Sequence, residues 1–317
     1  MKRKILFFMK YKLSVILNAR NEEKDLPSCI ASLKKMSVKP FEILVIDDAS
    51  TDKSAAVAKK AGATVITTKH LSRGLGRDFG WRKAKGNIVA YLDSDMIVNK
   101  DWAKEILKKF DDGADGVIDR IHVWKPDNAY TKSLDAFYSF RIDNNYKPFL
   151  AWAYKTSVLT KVGGFKDVWL EDGELGKRVL KAGYKIMLAE KAIRYHKGPP
   201  RTFWNTVKRN YFFGKHDAKS IYKNHPESLP KKRLALFSLF WLSELAAIVL
   251  GAWNLSFLLW LPVSFILLYL ALFGKFLFIN GAIGKVSIWN CVLISLASWI
   301  RALIWPLGII KGMLEKD

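Results

Sequence analysis

The spacing of apolar positions changes along the chain. Between Leu13 and Leu92, short apolar and β-branched runs alternate with stretches of helical spacing. Leu13 to Leu17, Glu42 to Ile46, Thr64 to Thr67 and Ile88 to Leu92 read as strands. Leu26 to Met36 carries Leu26, Ile30 and Leu33 on one face and reads as a helix, as do Ser54 to Ala61 and Arg77 to Lys85. This alternation predicts an α/β layered domain with a largely parallel sheet. Beyond Lys231-Lys232-Arg233 the pattern is different. Leu234 to Gly251 is apolar except for Glu244, Leu255 to Phe273 carries no charge, and Val286 to Ile310 is apolar except for Arg301.

A helix that crosses a bilayer needs ~20 apolar residues. The first two segments, 234–251 and 255–273, are therefore expected to span as a hairpin turning near Ala252-Trp253-Asn254. The third, 286–310, contains Arg301 and Pro306 and is expected either to span with a kink or to lie in the interface. Glu244 and Arg301 are the intramembrane charges, and a Glu244–Arg301 pair is the expectation for them. The same pattern also fits a buried hairpin in a soluble protein, but uncharged stretches of this length are rare there. The expected organisation is a domain over 1–215, a basic juxtamembrane linker over 216–233 and a transmembrane region over 234–317. Lys231, Lys232, Arg233, Lys275 and Lys285 flank the apolar segments, and positive loops stay cytoplasmic. A multi-pass protein of the cell membrane with residues 1–230 in the cytoplasm follows.

Charge adds a constraint. Lys and Arg number 52 against 29 Asp and Glu, a formal charge of +23. Such a surplus suits a polyanionic partner: nucleic acid, anionic lipid or a phosphorylated ligand. The two cysteines, Cys29 and Cys291, fall in different regions and suggest no disulfide framework. The apolar patch Ile5 to Met9 is shorter than a signal-peptide core, and no secretion is expected.

Two of the predicted strands end in acids: Asp47-Asp48 and Asp93-Ser94-Asp95. In open α/β sheets ligands bind beyond the carboxyl ends of the strands, so both pairs are expected to open into one crevice. Carboxylates there suit a hard divalent cation that bridges to substrate phosphates, while a neighbouring carboxylate accepts from ribose hydroxyls. By itself, D-x-D also describes an ordinary acidic turn capping a helix.

It occurs within an ordered set: "SVILNARNEE" (14–23), "ILVIDDASTDKS" (43–54), "SRGLGRDFGWRKAKGNIVAYLDSDMIV" (72–98), "VGGF" (162–165), "LEDGELGKRVLKAGYKI" (170–186) and "RYHKG" (194–198). Order and spacing resemble the family 2 glycosyltransferases over roughly residues 12 to 215. That resemblance implies the GT-A fold, a Rossmann-like nucleotide-diphospho-sugar transferase domain, followed here by the C-terminal helical region. It implies an inverting transfer from a UDP- or GDP-sugar, assisted by Mn²⁺ or Mg²⁺. Asn18, Arg20 and Glu22 match the nucleotide pocket, although Asn18 and Arg20 replace a more usual Pro and aromatic residue. Asp48 matches the residue that hydrogen-bonds the base, and Arg77 a basic residue facing the nucleotide; Asp78 stands beside it where Asn is usual. Asp95 matches the metal ligand and Asp93 its ribose- or metal-facing neighbour. His196 matches a position that in some GT-A enzymes completes the metal shell. Asp172 matches the general base, with Glu171 beside it and Glu174 a further alternative. Acids at a helix start also simply complement the helix dipole.

The stretch "RTFWNTVKRNYFFGK" (201–215) mixes cations with aromatics. It is expected to rest on an anionic membrane surface, to grip a diphosphate or lipid phosphate, or to do both. No Gln-x-x-Arg-Trp signature follows the acids, which argues against a long-chain polysaccharide synthase. A lipid-linked or membrane acceptor is expected. Nucleic-acid binding would account for +23, but no zinc, RNP-like or helix-turn-helix pattern accompanies it. A binding protein that keeps the fold without the chemistry is opposed by Asp93, Asp95 and Asp172.

Overall fold

The computed structural model describes residues 10–144, 151–168, 171–199, 201–218, 231–251, 253–274 and 288–315. The four predicted strands are present as β1 (Leu13–Ala19), β2 (Glu42–Asp48), β3 (Thr64–Thr68) and β4 (Ile88–Asp93). Each reaches slightly further at its carboxyl end than the apolar run that marks it. Asp48 and Asp93 are therefore the last residues of their strands, held by the ladder and not by a free turn.

Helices α1 (Leu26–Lys34), α2 (Ser54–Lys60) and α3 (Arg73–Lys83) connect these strands. Together they make the parallel order β3-β2-β1-β4. Strands β1, β2 and β4 are covered on both sides, which is why they read as nearly continuous apolar runs, whereas β3 at the sheet edge is only partly buried. Leu13, Val15, Leu17, Val45, Ala90 and Leu92 pack on one face with Leu26, Ile30 and Leu33; Ile16, Leu44, Ile46, Val89 and Tyr91 pack on the other with Trp81.

Helix α3 starts earlier than the predicted Arg77. Ser72 caps it, its hydroxyl accepting from the Leu75 N–H at 3.2 Å. Glycines at 74, 76 and 80 hide this helix from a propensity reading. Close packing explains two of them: a Cβ at Gly80 would lie 2.6 Å from Ile16 Cγ2, and one at Gly76 2.7 Å from Asn18 Nδ2.

Past β4 the expected largely parallel sheet becomes mixed. The added elements are β5 (Met96–Val98), α4 (Trp102–Asp111), β6 (Gly116–Val123), α5 (Ala129–Asn144), β7 (Ala153–Lys155), α6 (Thr156–Val162), α7 (Glu171–Lys181) and β8 (Ile186–His196). The eight-stranded order is β3-β2-β1-β4-β7-β6-β8-β5, with β7 antiparallel to both its neighbours and β5 antiparallel to β8. Antiparallel neighbours need no crossover helix. The repeating strand–helix rhythm of the first ninety or so residues therefore does not extrapolate.

The chain divides into two compact units. One comprises Met1–Lys125 and Tyr146–Pro199, the other Pro126–Asn145 and Pro200–Asp317. The sheet belongs to the first. The second contains α5, α8 (Phe203–Asp217), α9 (Lys231–Gly251), a 3-10 turn (Leu255–Leu259), α10 (Trp260–Gly274) and α11 (Ile288–Leu314). Within it, α8 crosses α11 at backbone distance. A Cβ on Gly308 would lie 2.1 Å from the Tyr211 carbonyl oxygen, and one on Gly214 2.0 Å from that of Trp305. Small residues permit such crossings. The "RTFWNTVKRNYFFGK" stretch is thus a helix fixed along one side, with Trp204 and Phe212 exposed.

Among the described residues one helix is long and apolar enough to cross a membrane, Leu234–Gly251. The expected second span, 255–273, divides into the 3-10 turn and the 15-residue α10, because Pro262 suits the first turn of a helix starting at Trp260. Its apolar helical part, Trp260–Ala271, is shorter than a span. The third segment is helical as α11, with Pro306 inside it. Glu244 is buried against α10, where Ser264 Oγ donates to its Oε1, and its Oε2 has no partner among the described residues. The Arg301 side chain, Lys275, Lys285 and linker positions 219–230 lie outside the described residues, as does the expected Glu244–Arg301 pairing.

Candidate active site

Parallel register aligns the strand ends. Asn18 on β1 stands beside Asp93 on β4, Ala19 beside Asp47, and Asp48 beside Thr68. Successive strand residues face opposite sides. Asp47 is accordingly buried while Asp48 is only partly so, and the two acids do not share one crevice wall.

Arg77 is the hub. It reaches the strand ends from α3, buried to 4% exposure. Its Nη1 donates to Glu171 Oε1 at 2.6 Å and its Nη2 to Asp93 Oδ1 at 3.1 Å. Burial alone would lower the guanidinium's pKa, but Asp93, Glu171 and Asp172 together raise it. Partial desolvation opposes ionisation of Asp93, whose side chain is 43% exposed, and Arg77, Arg73 and Arg194 outweigh it and hold its pKa below the usual carboxylate range. The ring of Trp152 lies 4.7 Å from the Arg77 guanidinium and 3.9 Å from that of Arg194. Arg194 pairs with buried Asp119 at 3.0 Å, and Trp102 Nε1 donates to the same carboxylate at 2.8 Å. Charges buried this deeply persist because each has an opposite partner.

Asp95 meets a different group. The β5–β8 ladder pairs Met96 with His196. This register carries His196 to the Asp93-Ser94-Asp95 turn from a hundred residues away, with Nε2 2.9 Å from Asp95 Oδ2. The Nδ1 of His196 is buried without a partner among the described residues. Asp93 is turned to Arg77 and does not join them, and among the described residues no three His, Cys, Asp or Glu side chains form a ligating group. The fit to a divalent cation rests on surplus negative charge. Glu22 lies near Asp95, Asp25 and Asp93, and burial first, then those carboxylates, push its pKa from 4.5 to about 7.

A test follows for the cation-free protein. A carboxyl whose folded pKa is raised stabilises the fold fully below its unfolded value and loses that contribution as pH rises through the folded one. Glu22→Gln, which fixes the uncharged shape, should match wild type in unfolding midpoint near pH 4.5 and exceed it at pH 8. Equal midpoints at both pH values would dismiss the strain.

The acids of α7 separate by partner. Glu171 is buried and committed to Arg77. Glu174 is held by Arg178, which also donates to the carbonyls of Val162 and Gly164. Asp172 is partly exposed, and its Oδ1 accepts from the Gly173 N–H at 2.8 Å. Its Oδ2 makes no hydrogen bond among the described residues. Asp78, beside Arg77, turns away to the "VGGF" turn, accepting from the Phe165 N–H at 2.9 Å and Trp81 Nε1 at 2.8 Å. It braces the chain that leads into α7.

At the other end of the site, Asn18 Nδ2 donates to the Arg73 carbonyl at 3.3 Å. Asp48 Oδ1 accepts from the Leu71 N–H at 2.5 Å, and Oδ2 lies 2.9 Å from His70 Nδ1. Arg20 Nη1 lies within 2.9 Å of both His70 ring nitrogens. Sequence reasoning missed His70, Trp152 and Arg194. The signal for His70 was its place just past the end of β3, where strand-end ligands gather.

Comparison with known proteins gives one family match and several relatives. Residues 14–166 match the family model described as Glycosyl transferase family 2. The 4,4'-diaponeurosporenoate glycosyltransferase of Staphylococcus haemolyticus is 33% identical over 102 residues, 30% of this chain and 27% of that protein. Its Staphylococcus aureus counterpart is 32% identical over 117 residues, 35% of this chain and 31% of that protein. The matched stretch thus spans less than a third of either relative. Among solved structures, S. aureus TarS 1-349 in complex with UDP has a TM-score of 0.48 and 24% identity, covering 63% of each chain. Glucosyl-3-phosphoglycerate synthase from Mycobacterium tuberculosis with Mn2+ and UDP has a TM-score of 0.46 and 18% identity, covering 65% of this chain and 78% of that one.

Proposed function

From the match of residues 14–166 to the family model described as Glycosyl transferase family 2, we propose that this chain is an inverting glycosyltransferase. It moves a sugar from a nucleoside diphosphate to a hydroxyl of a membrane-borne acceptor. The observation that carries this reading is the division of labour among the acids: Glu171 and Asp93 are tied to Arg77, Asp95 is paired with His196, and Asp172 keeps one oxygen with no hydrogen bond among the described residues.

Inversion needs one carboxylate to take the proton of the acceptor hydroxyl as that oxygen attacks the anomeric carbon. Asp172 has that role. The bond from the anomeric carbon to the diphosphate oxygen breaks on the opposite side, and its electron pair leaves with the nucleoside diphosphate. The departing charge must be met by positive charge already in place. Arg77 is fixed by two carboxylates and does not have to reorganise as charge develops. A divalent cation, Mn²⁺ or Mg²⁺, would be held by Asp95 and His196 with Asp93 close by, and would add positive charge at the diphosphate. Asn18, Arg20, Glu22 and Asp48 line the nucleotide end.

Membrane attachment rests on α9. Leu236, Leu239, Leu242, Leu245, Ile248 and Val249 are each more than half exposed, which a core helix of a soluble protein would not be. An apolar medium around Leu234–Gly251 supplies the missing cover. Helix α8, with exposed Trp204, Lys208 and Phe212, suits the headgroup layer of an anionic leaflet on the cytoplasmic side. An acceptor presented there keeps its apolar part in the bilayer.

The test is sugar transfer by the full chain in vesicles of bacterial lipid, using radiolabelled UDP- and GDP-sugars, with Mn²⁺ or EDTA. Label should enter the lipid fraction only with the cation. Asp95→Ala should weaken UDP binding in Mn²⁺ by about tenfold, the lower range for disturbing a metal shell. Full transfer in EDTA would rule out the cation. Transfer to water-soluble acceptors alone would rule out the membrane-borne acceptor.

A further inference from the structure

Trp152 meets two cations from distant parts of the chain. Its ring centre lies 4.7 Å from the guanidinium of Arg77 on α3 and 3.9 Å from that of Arg194 on β8. Its backbone is fixed between two strands. The N–H donates to the Val117 carbonyl at 2.9 Å, and the carbonyl accepts from the Tyr91 N–H at 2.8 Å. Arg194 is anchored in turn. Its Nε lies 3.0 Å from Asp119 Oδ1, with the two side chains 5% and 1% exposed, and Trp102 Nε1 donates to Asp119 Oδ2 at 2.8 Å. The contacts run in a line from Trp102 through Asp119 and Arg194 to the indole, and from the indole to Arg77.

Packing alone does not call for tryptophan here. The side chain is half-buried at the margin of the apolar cluster around Tyr91 and Leu175, where a leucine would also pack. Two like charges beside one side chain need a partner that attracts both. The negative face of an indole does so, and an aliphatic side chain does not. For Arg77 the ring adds a specific constraint. Nη1 and Nη2 are held by Glu171 and Asp93. Bonds at those two atoms leave the guanidinium free to pivot about the line joining them, and the Asp93 side chain, 43% exposed, is open to competing water. A third contact, from the ring to the guanidinium carbon, lies off that line and stops the pivot.

We propose that Trp152 is a positioning residue for the departure of the nucleoside diphosphate: anchored by Arg194, its indole fixes the plane of the Arg77 guanidinium. This rests on the glycosyl-transfer reading above, in which Arg77 meets the charge that develops on the leaving group. That charge appears only as the bond to the anomeric carbon breaks. Loss of the ring should therefore fall on kcat and leave donor KM near wild type.

The experiment compares Trp152→Leu with Trp152→Phe in the full chain, in vesicles of bacterial lipid, with radiolabelled UDP- and GDP-sugars and Mn²⁺. It reads kcat, donor KM and the thermal unfolding midpoint. Trp152→Leu should lower kcat about tenfold, the order for one desolvated cation–π contact, with donor KM near wild type. Trp152→Phe keeps an aromatic face and should recover most of kcat. Trp152→Met gives the same comparison should the leucine variant fail to fold. Arg194→Gln with Asp119→Asn removes the anchor without stranding a charge. It should lower kcat beside the wild-type ring but add little to the loss in Trp152→Leu, because the two act as one unit. Wild-type kcat in Trp152→Leu, equal losses in the leucine and phenylalanine variants, or an additive loss in the combined variant would overturn the inference and leave the glycosyl-transfer reading standing. So would a change carried by donor KM together with a lower unfolding midpoint, which is plain packing. Wild type that transfers from no nucleoside diphosphate sugar would overturn both.

Discussion

Asp172→Asn should lower the transfer rate by about 10² or more, the range for removing a positioned general base, while nucleotide affinity stays near wild type. Asn keeps the shape of Asp and can still accept from the Gly173 N–H, so the first turn of α7 should survive. What it loses is the capacity to take a proton. Its neighbours are poor substitutes. Glu171 is tied to Arg77 and Glu174 to Arg178, so neither is free to move into the acceptor's path. Single-turnover rates with saturating donor isolate the chemical step from binding. A variant with wild-type turnover would transfer the role to another group or indicate an acceptor already ionised, such as a phosphate.

Arg77→Leu should be the most destabilising single change in the site. It removes one partner from a buried ion pair in which the Arg77 and Glu171 side chains are 5% and 7% exposed. Stranding a buried charge in this way costs about 3–5 kcal/mol. Asp93 suffers less, because its side chain is 43% exposed and water can take over. Arg77→Leu with Glu171→Leu should recover much of the stability at pH 8, since an apolar pair no longer carries a stranded charge. It should not recover transfer, because the cation facing the diphosphate is still absent. Thermal unfolding of the three proteins at pH 8, alongside transfer rates, separates these effects. If the single variant is as stable as wild type at pH 8, Arg77 is not the hub described here.

The sequence by itself determined the layered core and the acids at its strand ends. The apolar runs at Leu13, Glu42 and Ile88 can bury both faces only between two layers of helices. Acids at the carboxyl ends of those runs were legible as a site because strand polarity follows from the order of the runs. The exposed apolar face of α9 was equally plain, being a matter of composition over eighteen residues. Tertiary structure decided what local pattern does not encode. Met96 pairs with His196 only through an antiparallel ladder far along the chain, so the Asp95–His196 contact had no local signal beyond family order. The partners of three adjacent-looking acids, Glu171, Asp172 and Glu174, were decided by whether Arg77, Arg178 or, among the described residues, neither reached them. Arg20 meets His70 because β1 and β3 flank β2 in the sheet, although fifty residues separate the two. Each of these depends on long-range pairing, where a one-residue change of register would turn the side chain to the opposite face.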